Sequence, residues 1–225
     1  MTYECKGSLV MNKKIFPFRR FCAILLNLFM FLAVLVSIVY IVNFRAQGNM
    51  DISGTYALMF FTVDSNILGG VACLLTALAL LFSGRLPYGI LMFKYVSTTA
   101  VAVTLSTVAL FLGPVMRYKG LFVGTNLFLH LICPAAAIIS LIFFDGGERI
   151  GRKRVWLGTL PTVAYGIVYF FKVVVIGYEN GGWMDFYGFN RGGHWYISFV
   201  FMIAGTALLG WILQAAHDRV FQERS

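Results

Sequence analysis

Residues 121–144 read LFVGTNLFLHLICPAAAIISLIFF. The stretch contains no Asp, Glu, Lys or Arg, and it exceeds the roughly 20 helical residues needed to cross the hydrocarbon core of a bilayer. Five more apolar stretches lie at 22–42, 55–83, 88–112, 155–176 and 195–214. Lipid offers the backbone no hydrogen-bond partner, so a spanning segment is either a helix or a strand of a closed barrel. None of the six stretches shows the alternating pattern of barrel strands. The sequence therefore predicts an all-α integral membrane protein, a six-transmembrane-helix bundle. The stretch 55–83 is long for one crossing, so it either tilts or begins with an interfacial turn.

Composition agrees with this reading. Of 225 residues, 60% are hydrophobic and 12% charged, which excludes a soluble domain of ordinary make-up. Thirteen Lys and Arg side chains, including Lys6, Lys13, Lys14, Arg19, Arg20, Arg85, Lys94, Arg149, Arg152, Lys153 and Arg154, fall on one side of the bundle. Only Arg45, Arg117, Lys119 and Arg191 fall on the other. The positive-inside rule puts the richer side, and with it both termini, in the cytoplasm of a cell-membrane protein. Three parts follow: a basic cytoplasmic tail at 1–20, a membrane domain at 21–214 and a cytoplasmic tail at 215–225. The net charge of +9 is accounted for by this bias and by attraction to anionic lipid headgroups, with no support for nucleic-acid binding.

The first apolar run follows basic residues as a signal peptide would, but it is too long and no small-residue cleavage site follows it, so it reads as a retained helix. Cys5 falls in the cytoplasmic tail, and Cys22, Cys73 and Cys133 fall within spans, which is no disulfide framework. No metal-ligand spacing is present, and neither a metal nor a cofactor is expected. The oligomeric state is not legible.

An imidazole inside 121–144 is costly, and such a residue usually faces a bundle interior or a wet cavity. With the orientation above, His130 and Asn126 lie in the outer half of the fourth span, and Thr62, Ser65 and Asn66 in the outer half of the second. Thr104, Thr107, Tyr169 and Lys172 join them there. At 1.5 Å per residue Thr62 and His130 are each about 9–14 Å below the starts of their stretches. The inner half reads as nearly pure Leu, Val, Ile, Phe and Ala.

On a helical wheel Thr62, Ser65, Asn66, Gly69, Cys73 and Thr76 form one stripe, while Asp64 points away from Thr62. The stripe is expected either as a packing seam against the fourth helix or as a pocket wall. Pro134 has no N–H for the carbonyl of His130, which predicts a free acceptor and a kink beside the imidazole. The segment 177–193 is rich in aromatic residues and reads either as an interfacial belt or as a partial lid.

A threonine hydroxyl becomes a nucleophile when a neutral imidazole takes its proton. The pair Thr62 and His130 suits acyl transfer to water, with Asn66, Asn126 and Ser65 as substrate-binding groups and an oxyanion donor among the two asparagines.

The residues Phe60-Phe61-Thr62-Val63-Asp64-Ser65, with Asn126-Leu127-Phe128-Leu129-His130 and the nearby Pro134, resemble the androgen-induced and androgen-dependent transmembrane hydrolases. That family has six helices. The resemblance implies that Thr62 and His130 are the catalytic pair and that fatty acyl esters in the membrane are the substrates. Two other readings stay open on the residues alone. One is a small-solute transporter, in which the outer polar layer would be a vestibule. The other is a structural or regulatory membrane protein, in which Asn126 and His130 are interhelical hydrogen-bond partners.

Overall fold

The computed structural model describes residues 17–43, 54–146 and 148–222. Among these residues there are no strands, and six helices are long and apolar enough to cross a membrane. We label them α1 (Pro17–Asn43), α2 (Phe61–Ser83), α3 (Tyr88–Val115), α4 (Thr125–Phe143), α5 (Arg152–Ile176) and α6 (Trp195–Gln222). The chain is a multi-pass helical membrane protein. Lys6, Lys13, Lys14, Cys5 and Arg45 lie outside the described residues.

Both described chain ends, the α2–α3 turn and the α4–α5 connection lie at one end of the bundle, called here the terminal end. The loops before α2, between α3 and α4 and between α5 and α6 make the loop end. Helix α2 stops at Gly84, whose φ of 66° is open to glycine, and its N–H closes on the Leu80 carbonyl at 3.2 Å. A Cβ on Gly84 would stand 2.9 Å from the Arg20 guanidinium. The bare glycine lets Arg20 donate to the carbonyls of Leu80 (2.8 Å) and Leu81 (3.1 Å), where a cation also complements the helix dipole. Pro17–Arg20 already belong to α1.

Lipid tails are as apolar as leucine, so close packing of small residues and interhelical hydrogen bonds hold such a bundle. A Cβ on Gly69 would meet Met30 of α1 at 2.8 Å and Val101 of α3 at 3.2 Å, and one on Gly70 would meet Val34 of α1 at 3.2 Å. The small-residue stripe of α2 is therefore wedged between α1 and α3. The expected packing seam is thus made chiefly with α1 and α3, while toward α4 Cys73 shares a buried cluster with Cys133 and Ala137 and Asn66 bonds the Leu129 carbonyl.

The second span starts at Phe61, after a separate turn of tight helix at Gly54–Met59, so the long stretch does begin with an extra turn. Thr62 consequently sits in the first turn of α2, whereas His130 lies five residues into α4.

At the terminal end α6 runs past Gln214, and Gln214, His217 and Asp218 are buried. The Asp218 carboxylate accepts from the backbone N–H groups of Ile150 (2.8 Å) and Gly151 (3.0 Å), from Gln214 Nε2 (2.6 Å) and from His217 Nδ1 (3.1 Å). Residues 215–222 continue α6, with His217 and Asp218 packed against the α4–α5 connection.

Candidate active site

Three of the helices widen to i→i+5 bonding as they near the loop end: Val108–Leu112 in α3, Phe128–Ile132 in α4 and Phe171–Ile176 in α5. Such wide turns are rare and concentrate at functional sites. In α4 the Cys133 N–H bonds the Phe128 carbonyl, and the next donor in that register would be residue 134, a proline. The carbonyl left without a helical donor is therefore that of Leu129. Asn66 of α2 fills it, donating Nδ2 at 2.9 Å. This corrects the expectation that the free acceptor would be the His130 carbonyl: the wide turn moves the register by one residue.

Helix α3 uses the same device. The Gly113 N–H bonds the Val108 carbonyl, Pro114 has nothing to donate to Ala109, and the Tyr118 hydroxyl donates to the Ala109 carbonyl at 2.9 Å. The two wide turns, Val108–Leu112 and Phe128–Ile132, each end two residues before a proline, and each relies on a side chain from elsewhere. Asn66→Ala is expected to destabilise the protein by about 1–3 kcal/mol, because it orphans a buried carbonyl. Pro134→Ala restores a backbone donor, so in that background the same substitution should cost markedly less when Tm is followed in detergent; equal costs would refute the account.

His130 is half-buried, and its Nδ1 lies 2.8 Å from the carbonyl of Leu121, the last residue of the helical turn Tyr118–Leu121 between α3 and α4. A carbonyl only accepts, so Nδ1 carries the hydrogen and Nε2 is left as the basic nitrogen. Asn126, half-buried one turn earlier, sits at the start of α4 with its N–H bonded to the Val123 carbonyl at 3.2 Å.

Thr62 is half-buried, and its carbonyl accepts from Asn66 Nδ2 at 2.7 Å and Ser65 Oγ at 3.2 Å. Its side chain lies beside the Tyr187 hydroxyl. No hydrogen bond joins Thr62 to His130 among the described residues. The bond from Asn66, one turn below Thr62, to the carbonyl next to His130 joins the two helices beside both side chains.

Ser65 and Asn66 are buried and spend their donors inside the bundle, Ser65 Oγ also lying 2.8 Å from Thr104 Oγ1. In this structure their hydrogen bonds position helices.

Tyr187 was visible in the sequence only as one of several loop aromatics. Its hydroxyl accepts from the Phe61 N–H at 3.2 Å, and burial pushes its phenol up to about 12. The loop that carries it is organised by Asp185. That carboxylate accepts from the N–H groups of Phe189 and Asn190, each at 2.8 Å, and from the Tyr169 hydroxyl at 3.1 Å. Tyr169 is buried, with the rings of Phe186 (5.1 Å), Tyr187 (5.4 Å) and Phe189 (5.6 Å) around it, and Phe186 also stacks on Phe60 at 4.4 Å. The loop is thus seated across α5 and the start of α2.

Gly182 ties the loop to the end of α5. Its N–H bonds the Gly177 carbonyl at 2.9 Å, and a Cβ there would stand 2.1 Å from the Lys172 carbonyl oxygen. Backbone cannot yield as a side chain does. Gly182→Ala should therefore dislodge the loop and raise proteolytic nicking within 177–194, and a cleavage pattern like that of the wild type would contradict this.

The sequence missed a second polar cluster, nearer the terminal end. Lys94 of α3, counted above among the cytoplasmic-side cations, is fully buried. Its Nζ donates to Asn27 Oδ1 of α1 at 2.6 Å, lies 2.6 Å from Cys73 Sγ of α2, and pairs with Asp145 Oδ2 at 3.5 Å. Asn27 Nδ2 donates to Asp145 Oδ1 at 2.7 Å and lies 2.9 Å from Ser140 Oγ, which itself donates to Asp145 Oδ2 at 2.8 Å. The half of the bundle expected to be nearly pure Leu, Val, Ile, Phe and Ala therefore contains a buried ion pair whose neighbours come from α1, α2 and α4. Among the described residues no group of His, Cys, Asp and Glu could hold a metal ion. No protein-family model, curated protein or solved structure matches this chain.

Proposed function

We propose that the protein hydrolyses fatty acyl esters with Thr62 as nucleophile and His130 as base, in a site that opens at the outer face of the cell membrane, both termini being cytoplasmic. The observation that carries the reading is the His130 contact with the Leu121 carbonyl, which fixes the tautomer and leaves Nε2 as the proton acceptor. The placement of Thr62 one turn above the Asn66–Leu129 bond supports the pairing. So does the resemblance of residues 60–65 and 126–130 to the six-helix threonine hydrolases. A direct Thr62–His130 hydrogen bond would then form with the ester bound, as catalytic contacts commonly tighten in the substrate complex.

In this reading the Thr62 oxygen attacks the ester carbonyl as His130 Nε2 takes its proton. The imidazolium returns that proton to the departing alcohol. Water, deprotonated by the same nitrogen, then releases the fatty acid and restores Thr62. In this reading Tyr187, a phenol that keeps its proton at neutral pH, and Asn126 would donate to the oxyanion. In this reading the apolar helix faces around Thr62 and His130 would take a lipid-like acyl chain, and the basic residues at the terminal end would meet anionic headgroups. The test is release of fatty acid from a long-chain ester by the purified protein in detergent. Wild type should exceed the blank and Thr62→Ala should equal it; a wild-type rate no higher than the blank sinks the proposal.

A further inference from the structure

We infer that Lys94 and Cys73 form an oxygen-linked covalent bridge, nitrogen–oxygen–sulfur, making the buried cluster a redox modification site. Cys73 is a free thiol in the structure, and it is fully buried. Its sulfur is 2.6 Å from Lys94 Nζ, the same separation that the nitrogen keeps from Asn27 Oδ1. Sulfur is the larger atom, so a contact as short as one to oxygen presses nitrogen and sulfur closer than hydrogen bonding asks. It is the span that one bridging oxygen covers.

The rest of the cluster supplies what the reaction needs. Lys94 must give up two protons and Cys73 one, and the Asp145 carboxylate, 3.5 Å from the ammonium, is placed to receive one of them. The other two leave as water. Dioxygen is the oxidant: it is apolar and enters the hydrocarbon interior of a membrane, where this water-excluded site lies. The balanced step is thiol plus ammonium plus carboxylate plus dioxygen giving the bridge, the carboxylic acid and one water. Sulfur and nitrogen each lose two electrons, and dioxygen gains all four, leaving one oxygen in the bridge and one in water.

Net charge is conserved, and the ammonium and carboxylate both become neutral, which favours the product in an apolar interior. Holding the reacting atoms in contact is itself a large kinetic advantage. The bridge would tie α2 to α3 covalently and stiffen the bundle below the candidate active site. The inference is independent of the hydrolase reading.

The experiment compares two preparations of the full chain in detergent, one kept under inert gas with a phosphine reductant and the other exposed to air. Intact mass is read first, followed by cysteine alkylation after denaturation. The aerated protein should be heavier by one oxygen less two hydrogens, take up one alkyl group fewer, and yield a crosslinked peptide joining the segments around 73 and 94. Reductant should reverse all three changes, and Cys73→Ser should show none of them. An aerated protein of unchanged mass overturns the inference. So does a gain of whole oxygen atoms alone, which marks methionine sulfoxide or a sulfenic acid.

Discussion

Lys94→Met is expected to destabilise the protein by about 3–5 kcal/mol, because it removes one partner of a buried ion pair and strands the other. Asp145 is fully buried and would keep its hydrogen bonds from Asn27 and Ser140 but lose its cation. Methionine fills much of the lysine volume, so the loss reports charge rather than a cavity. Adding Asp145→Asn removes the stranded charge at nearly constant shape, and the double variant should recover most of the lost stability. The comparison is made by thermal unfolding in detergent, with anaerobic and reduced samples, so that bridge formation does not contribute. A Lys94→Met protein as stable as wild type would show that the ion pair has no structural role. A double variant no better than the single one would show that Lys94 acts through something other than Asp145.

The second large effect concerns His130. In the hydrolase reading His130→Ala removes the general base, and the rate of ester hydrolysis should fall by about 10² to 10⁴. His130→Gln places an amide near the Leu121 carbonyl without a basic nitrogen, and it should be as slow as alanine. That outcome separates chemistry from architecture. If the histidine served only to tie α4 to the Leu121 carbonyl, glutamine would restore much of whatever alanine lost. Unfolding temperatures of both variants, set beside their rates, complete the distinction.

These two sites show which parts of the molecule can be read from sequence. The membrane crossings are legible because each is a long apolar run, and the six observed helices follow the six stretches to within a few residues at most ends. The extra turn before α2 is legible as surplus length, but its boundary at Phe61 is not, and that boundary moved Thr62 to the first turn of its helix. His130 stands out because an imidazole in lipid is expensive. Its partner, a backbone carbonyl nine residues earlier, has no sequence signature.

Pro134 announces an interrupted hydrogen-bond ladder. The one-residue change of register that hands the free carbonyl to Leu129, and so to Asn66, depends on the wide turn, which only the folded backbone reveals. Lys94 and Asp145 were concealed differently. Each lies near the terminal end of an apolar run, where a charged residue ordinarily reaches the interface, and nothing local says that α1 and α2 present Asn27 and Cys73 to Lys94. Tyr187 belongs to a loop whose aromatic content marked it as more than a spacer. Its reach to Phe61 and Thr62 depends on the way Asp185 and Tyr169 fold that loop.

The central claim is that Thr62 becomes a nucleophile with His130 as its base. It is tested most directly by treating the purified protein with a fluorophosphonate probe, digesting it and locating the adduct by mass spectrometry. The account predicts an adduct on the Thr62 hydroxyl that disappears in His130→Ala. Labelling that persists in Thr62→Ala, or a Thr62 peptide that stays unmodified in active wild type, would contradict it.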